Sequence, residues 1–194
     1  MTSDPLDQDF CEVCKLMGQR STHAGPVGIR VTCKRCGTFT WNPLLFMLPT
    51  TETKELQVTL SAFIQEQNAA GIVPHLTEDL IRQVERTPIP RLRERALRAL
   101  AAMAEEVGND AQRLHPFRSM PRIQAVSYSA DEEELDVLIR ILEHEKFVGI
   151  SERGDAHLTI EGLLKAEELS LRGSAYVQGF VAMSFDHSWM RRIR

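Results

Sequence analysis

No apolar run in this 194-residue chain approaches the roughly 18 residues that a membrane-spanning helix needs. Its first ten residues, Met-Thr-Ser-Asp-Pro-Leu-Asp-Gln-Asp-Phe, are acidic and lack the apolar stretch of a secretory signal. A membrane partner is therefore not expected, and a cytoplasmic location is. Catalytic patterns are missing as well. There is no His-Glu-x-x-His, no glycine-rich phosphate loop follows a strand-like run, and the histidines (His23, His75, His115, His144, His157, His187) are scattered with no nucleophile beside them. Acid pairs such as Glu105-Glu106 are neighbours in a helical pattern and are expected to diverge around its axis. Taken as it stands, the chain reads as a non-enzyme. It also has no internal repeat and no low-complexity tract.

What is present fits a folded protein of one good core and a small accessory module. Apolar residues make up 43% and charged residues 26%, which sets aside disorder. The net charge of −4 conceals a gradient along the chain. Between residues 10 and 40, Lys15, Arg20, Arg30, Lys34 and Arg35 face Glu12 alone. Residues 74–125 are mildly basic, with nine arginines against seven acids, whereas residues 129–172 carry twelve acids against five bases. A polyanion would be drawn to the first two stretches and repelled by the third.

Periodicity divides the chain into a mainly α architecture with small β elements. Residues 1–45 hold the cysteines. Residues 51–108 read as a bundle of three amphipathic helices: one capped at Thr51 and ended by Gly71, one capped at Thr77 and broken at Thr87-Pro-Ile-Pro90, and one from about Pro90 to Val107. Residues 109–173 open with a connecting segment that includes a short strand near Ile123–Tyr128. A helix follows, opened by the Ser129-x-x-Glu132 spacing of a capping box, with Leu135, Leu138, Ile139 and Leu142 inward. Phe147–Ile150 and Ala156–Thr159 read as a β-hairpin around Glu152–Asp155, and Thr159 caps a helix through about Leu171. Helix, hairpin, helix is the back half of a winged-helix-like module. In residues 174–194, the apolar run Phe180–Phe185 between Gly179 and Asp186 reads as a strand buried on both faces.

The strongest chemical signal is Cys11, Cys14, Cys33 and Cys36, spaced C-x2-C-x18-C-x2-C, within the range of a zinc site. Each C-x-x-C sets two thiolates at a tight turn, and four sulfurs complete a tetrahedral shell. With no position left for water, the expected zinc is structural. In a reducing compartment disulfides are the weaker reading, and no βαβ pattern surrounds either pair to suggest a redox motif. Gly37 after the second pair can take a positive φ, and the strand-like flanks Gly28–Thr32 and Thr38–Trp41 complete a zinc ribbon. The first turn departs from this ideal, with Lys15 after Cys14. His23 is expected in the ribbon's loop and not as a ligand. Phe39 and Trp41 are expected to pack on the ribbon's core in preference to stacking on bases.

A winged helix that reads DNA sends the helix before its hairpin into the major groove. Here that helix begins Asp131-Glu-Glu-Glu134-Leu-Asp136, and its carboxylates would face phosphates. The same carboxylates suit a helix N-terminus, so a solvated, well-capped start is the better reading. Winged helices that leave DNA alone dock proteins or dimerise, so a protein partner is expected and a homo-oligomer is compatible. The remaining candidates for a polyanion or an acidic partner are Arg30, Lys34 and Arg35 on the ribbon and Arg91, Arg95 and Arg98 on one helix face. They define the alternative reading, a nucleic-acid-binding transcriptional regulator.

The order of parts carries a resemblance. A four-cysteine ribbon, a helical region, the pattern Leu135-x-x-Leu138, Gly149-Ile150 and Leu158-Thr-x-Glu-Gly162, then Phe180-Val-Ala-Met-x-Phe-Asp186, is similar to bacterial proteins with a C-terminal TIR-like or nucleoside-deoxyribosyltransferase-like domain, many of them linked to antiviral defence. The resemblance implies that Phe180–Asp186 is the first strand of an enzymatic α/β domain whose complete members cleave or transfer N-glycosidic bonds of nucleosides or NAD. Their catalytic Glu and later strands have no counterpart here, so the resemblance implies a regulatory or sensor module followed by a stub of a truncated effector domain.

Overall fold

The structure, a computed structural model, describes residues 10–16, 20–23, 28–42, 53–108, 114–152 and 154–183, with backbone alone at 20–23 and 172–183. Among these residues the chain is mainly helical, with six α-helices and two small sheets. Three antiparallel strands, β1 (Arg20–His23), β2 (Ile29–Cys33) and β3 (Gly37–Trp41), carry the cysteine-rich part. Helix α1 (Lys54–Ala69) follows, then a two-residue strand β4 (His75–Leu76) that adds in parallel to β3, and helix α2 (Glu78–Glu85). The second part comprises α3 (Leu92–Val107), α4 (Pro121–Val126), α5 (Glu132–His144), the hairpin β5 (Val148–Ile150) and β6 (Ala156–Leu158), and α6 (Ile160–Met183).

Hydrophobic burial sorts these elements into two cores, and the division does not follow the expected three-helix bundle at 51–108. Leu56, Leu60 and Ile64 of α1 and Ile81 and Val84 of α2 close over Val31, Phe39 and Trp41 of the sheet. In contrast, Ala96, Ala99, Leu100 and Met103 of α3 pack with Phe117, Ile123, Leu135, Leu138, Leu142 and Leu158. The reason is that so small a sheet, with strands of two to five residues, cannot bury its own inner face and takes α1 and α2 as its second layer. Helix α1 is apolar on two sides. Its other side sets Val58 and Ala62 against Tyr128 and Ala130, and so joins the two cores.

Local signals account for most of the helix ends. Thr77 Oγ1 accepts from Leu80 N at 3.3 Å, and Thr159 Oγ1 accepts from Gly162 N at 3.0 Å, each satisfying an orphan amide of a first turn. Gly71 and Gly108 follow their helices with φ of 75° and 50°. The cap of α1 is Thr53; Thr51 lies outside the described residues.

Four expectations are corrected. Ile123–Tyr128 is not a strand: Pro121 at the first helical position presets φ, and Ile123 and Ala125 turn into the core from α4. The cap of α5 is Asp131 and not Ser129, with Glu134 N donating to Asp131 Oδ1 at 3.0 Å and Ala130 N donating to Glu134 Oε2 at 2.8 Å. His23 is the last residue of β1 and does not sit in a loop. Finally, α6 does not stop near Leu171. It runs to Met183, so residues 180–183 are helical, a boundary at 173/174 falls inside the helix, and Ser184 to Arg194 lie outside the described residues. A helix already nucleated at Thr159 adds one hydrogen bond per residue, whereas an isolated strand leaves every backbone group without a partner.

Candidate metal centre

Two knuckles bring the cysteines together. In the first, Lys15 N donates to Cys11 O at 2.7 Å and Cys11 N to Leu16 O at 2.8 Å, which closes the loop Cys11-Glu-Val-Cys14. In the second, Cys33-Lys-Arg-Cys36 is the turn between β2 and β3, where Cys33 pairs with Gly37. The residue after the second cysteine is left-handed in both: φ is 59° at Lys15 and 85° at Gly37. Lys15, the departure noted in the sequence, thus adopts the conformation that Gly37 takes without strain.

All four sulfurs lie within 4.8 Å of one another. Cys11 Sγ is 3.8 Å from Cys36 Sγ, and Cys14 Sγ is 3.5 Å from Cys33 Sγ. A tetrahedral ion with metal–sulfur bonds of about 2.3 Å places its ligands about 3.8 Å apart, so the cluster fits such an ion with small adjustments. Both of these contacts run between the knuckles, and all four thiols are free. Three of the cysteines are buried and Cys14 is half-buried. The thiols of Cys11, Cys14 and Cys36 donate toward Cys33 and hold it well below the ordinary thiol range, while burial pushes Cys36 well above it. A cation at the centre would override this hierarchy, because coordinated thiols lose their protons outright.

Helix α1 supplies the surroundings from one polar stripe, Ser61, Gln65 and Asn68, which the apolar pattern of α1 passed over. Ser61 Oγ lies 3.2 Å from Cys36 Sγ and donates to Gln57 O at 2.8 Å. Gln65 Nε2 donates to Arg35 O at 2.6 Å. Asn68 grips Thr38 at both ends, with Oδ1 accepting from Thr38 N at 2.6 Å and Nδ2 donating to Thr38 O at 2.8 Å. The signal was visible as three polar residues spaced i, i+4, i+7 beside a buried apolar face. Nothing in that spacing names the partner.

The basic candidates separate sharply. Arg30 and Lys34 are exposed. Arg35 is only 8% exposed and is committed inside the protein, with Nη1 donating to Ala130 O at 3.0 Å and Gln124 Oε1 at 3.3 Å and Nη2 to Ser129 O at 2.5 Å. Arg95 donates to Ser127 O at 3.0 Å and to Tyr128 O and Glu134 Oε2 at 2.8 and 3.0 Å. Arg98 pairs with Glu66 and Glu94 and lies over the Tyr128 ring, 5.3 Å from its centroid. Arg91 alone of the three stays exposed, on a groove of about 490 Å³ beside Pro88, Ile89 and Pro90. The expected polyanion face on α3 is therefore largely spent on holding the corner between α4 and α5. Glu105 and Glu106, expected to diverge, both reach the guanidinium of Arg122. Phe39 and Trp41 are 1% and 5% exposed and belong to the core.

Among the described residues no helix is long and apolar enough to cross a membrane. Comparison with protein-family models, with curated proteins and with solved structures finds no match to this chain.

Proposed function

We propose that this chain is a non-catalytic, zinc-stabilised regulatory module, a zinc ribbon clamped to a winged helix, that docks a protein partner or trigger. The way α5 is held carries this reading. The order α3, His115, α4, α5, β5, β6 is compatible with that of a winged helix, with His115 exchanging backbone hydrogen bonds of 2.8 and 3.0 Å with Ala156 in a single β-bridge beside the two-stranded hairpin. In such a module α5 would be the DNA-reading helix. Its first turn carries exposed Glu132 and Glu133, which repel phosphates. That turn is also tied down from two sides. Lys54 of α1 donates to Asp131 Oδ2 at 2.8 Å and draws its carboxyl below the ordinary range, and Arg95 holds Glu134. Half-exposed Val137 in the middle of the outer face of α5 suits a protein partner better than a phosphate backbone.

The four-sulfur cluster supports zinc, because thiolates favour soft and borderline ions and leave no open position for catalysis. The sequence resemblance to bacterial proteins with a TIR-like or deoxyribosyltransferase-like domain is the ground for placing the module on the regulatory side of such an effector, with the glycosidic-bond chemistry belonging to the effector. That resemblance rests on the cysteines and the order of parts, since residues 180–183 are helical. Elemental analysis of protein purified under reducing conditions is expected to give one equivalent of zinc, and less than half an equivalent sinks the metal assignment. Gel-shift titrations at about 50 mM salt are expected to show no DNA binding. A salt-dependent shift lost on replacing Arg30 and Lys34 would favour the nucleic-acid-binding regulator instead, and NAD turnover above a zinc-only blank would refute a non-catalytic role.

A further inference from the structure

Arg35 stands between two of the four cysteines, yet its guanidinium serves a different part of the molecule. It crosses from the knuckle to the corner at residues 124–130, and its three acceptors are Gln124 Oε1, Ser129 O and Ala130 O. Two of these are backbone carbonyls immediately ahead of Asp131, the cap of α5. Arg95 holds the first half of this corner through Ser127 O and Tyr128 O, at 3.0 and 2.8 Å, and Arg35 takes the second half, the carbonyls of Ser129 and Ala130. Tyr128 takes φ of 56°, a conformation costly for a residue with a side chain, and Ser127 and Ser129 are fully buried and bond to each other through their hydroxyls at 2.8 Å. The Arg35 carbonyl is itself held by Gln65, so the knuckle, α1 and the corner meet at one residue.

We propose that Arg35 makes the metal centre a latch on the corner between α4 and α5, so that loss of the ion loosens the start of α5 and with it the partner-docking face. This rests on the metal assignment above and names how that site is regulated. The physical basis is the length of the lever. Arg35 lies within two positions of Cys33 and next to Cys36, so it points at the corner only while the turn Cys33–Cys36 keeps its shape. A small turn of this kind keeps its shape through the ion that gathers the four sulfurs, which lie within 4.8 Å of one another. Once the turn relaxes, Ser129 O and Ala130 O lose their charged donors, and the left-handed Tyr128 keeps Arg95 on one side of the corner with nothing from the knuckle to hold the other.

The test is hydrogen exchange by mass spectrometry on the full chain, with metal content measured on the same samples. Chelation is expected to speed exchange across residues 127–135 about tenfold or more, since loss of one charged hydrogen bond already corresponds to about that factor. Arg35→Ala is expected to give the same acceleration at 127–135 while retaining one equivalent of zinc and protection in β2 and β3. If Arg35→Ala does not fold, Gln124→Ala removes one acceptor from the other side and is expected to give a smaller change with the same localisation. The latch is overturned if chelation loosens residues 28–41 alone, or if a zinc-loaded Arg35→Ala protects 127–135 as the unsubstituted protein does. Absence of bound metal in the unsubstituted protein overturns the metal assignment and the latch together, which a metal analysis reads before any exchange measurement.

Discussion

Replacing Gly37 by alanine tests whether the second knuckle is built as described. At φ of +85°, a Cβ on residue 37 would sit 2.3 Å from Asn68 Oδ1 and 3.2 Å from its Cγ. Two costs follow. Holding an alanine in the left-handed region costs about 1–2 kcal/mol. Clearing the collision requires Asn68 to swing away and surrender both of its bonds to Thr38, at about 1 kcal/mol each. The expected total is about 3–4 kcal/mol, read as a shift in urea midpoint at unchanged slope with zinc in excess, so that occupancy is held constant. A double-mutant cycle separates the two costs. Asn68→Ala alone should cost about 2 kcal/mol, and adding Gly37→Ala to it should cost only the backbone part, about 1–2 kcal/mol, because the colliding oxygen is gone. The predicted coupling is therefore about 2 kcal/mol, well outside the roughly 0.5 kcal/mol scatter of independent sites. Additive costs would refute the contact between Gly37 and Asn68, and a Gly37→Ala cost below about 1 kcal/mol would refute the left-handed turn.

The mirror experiment, Lys15→Gly, relieves a left-handed lysine in the first knuckle and is expected to raise stability by up to about 1 kcal/mol with zinc content unchanged; a loss of stability would show that the exposed Lys15–Glu12 pair outweighs the strain. Leu138→Ala removes a fully buried side chain from the core of α3, α5 and α6 and should cost about 2–5 kcal/mol in the same denaturation assay, with secondary structure retained by circular dichroism. Burial, and then the nearby Glu66 carboxylate, push the Tyr128 phenol up to about 12. Its folded value lies above its unfolded one, so the associated stability is complete below pH of about 10 and drains away as pH rises toward 12. Tyr128→Phe should flatten that decline between pH of about 10 and 12, and an unchanged slope would place the loss elsewhere.

Much of this protein was legible in local spacing. Two C-x-x-C pairs can bring four sulfurs together whatever lies between them, because each turn is determined within five residues. The caps at Thr77 and Thr159 and the hairpin of β5 and β6 are likewise short-range events. Packing decided the rest. Ile123–Val126 is equally apolar as a strand or as a helical turn, and it became α4 because Pro121 starts a helix and the core of α3 and α5 receives Ile123. Phe180–Met183 looked like a strand but continues a helix begun twenty residues earlier. Helices α1 and α3 have similar apolar patterns, yet one covers the cysteine sheet and the other does not, a choice that depends on which surfaces are left open. Arg35 is the sharpest case. By residue type it is a surface cation on a basic ribbon, and it is instead buried against carbonyls 94 and 95 positions away. Backbone carbonyls carry no signature of residue type, so a side chain's bond to them becomes visible only when the chain has folded around both.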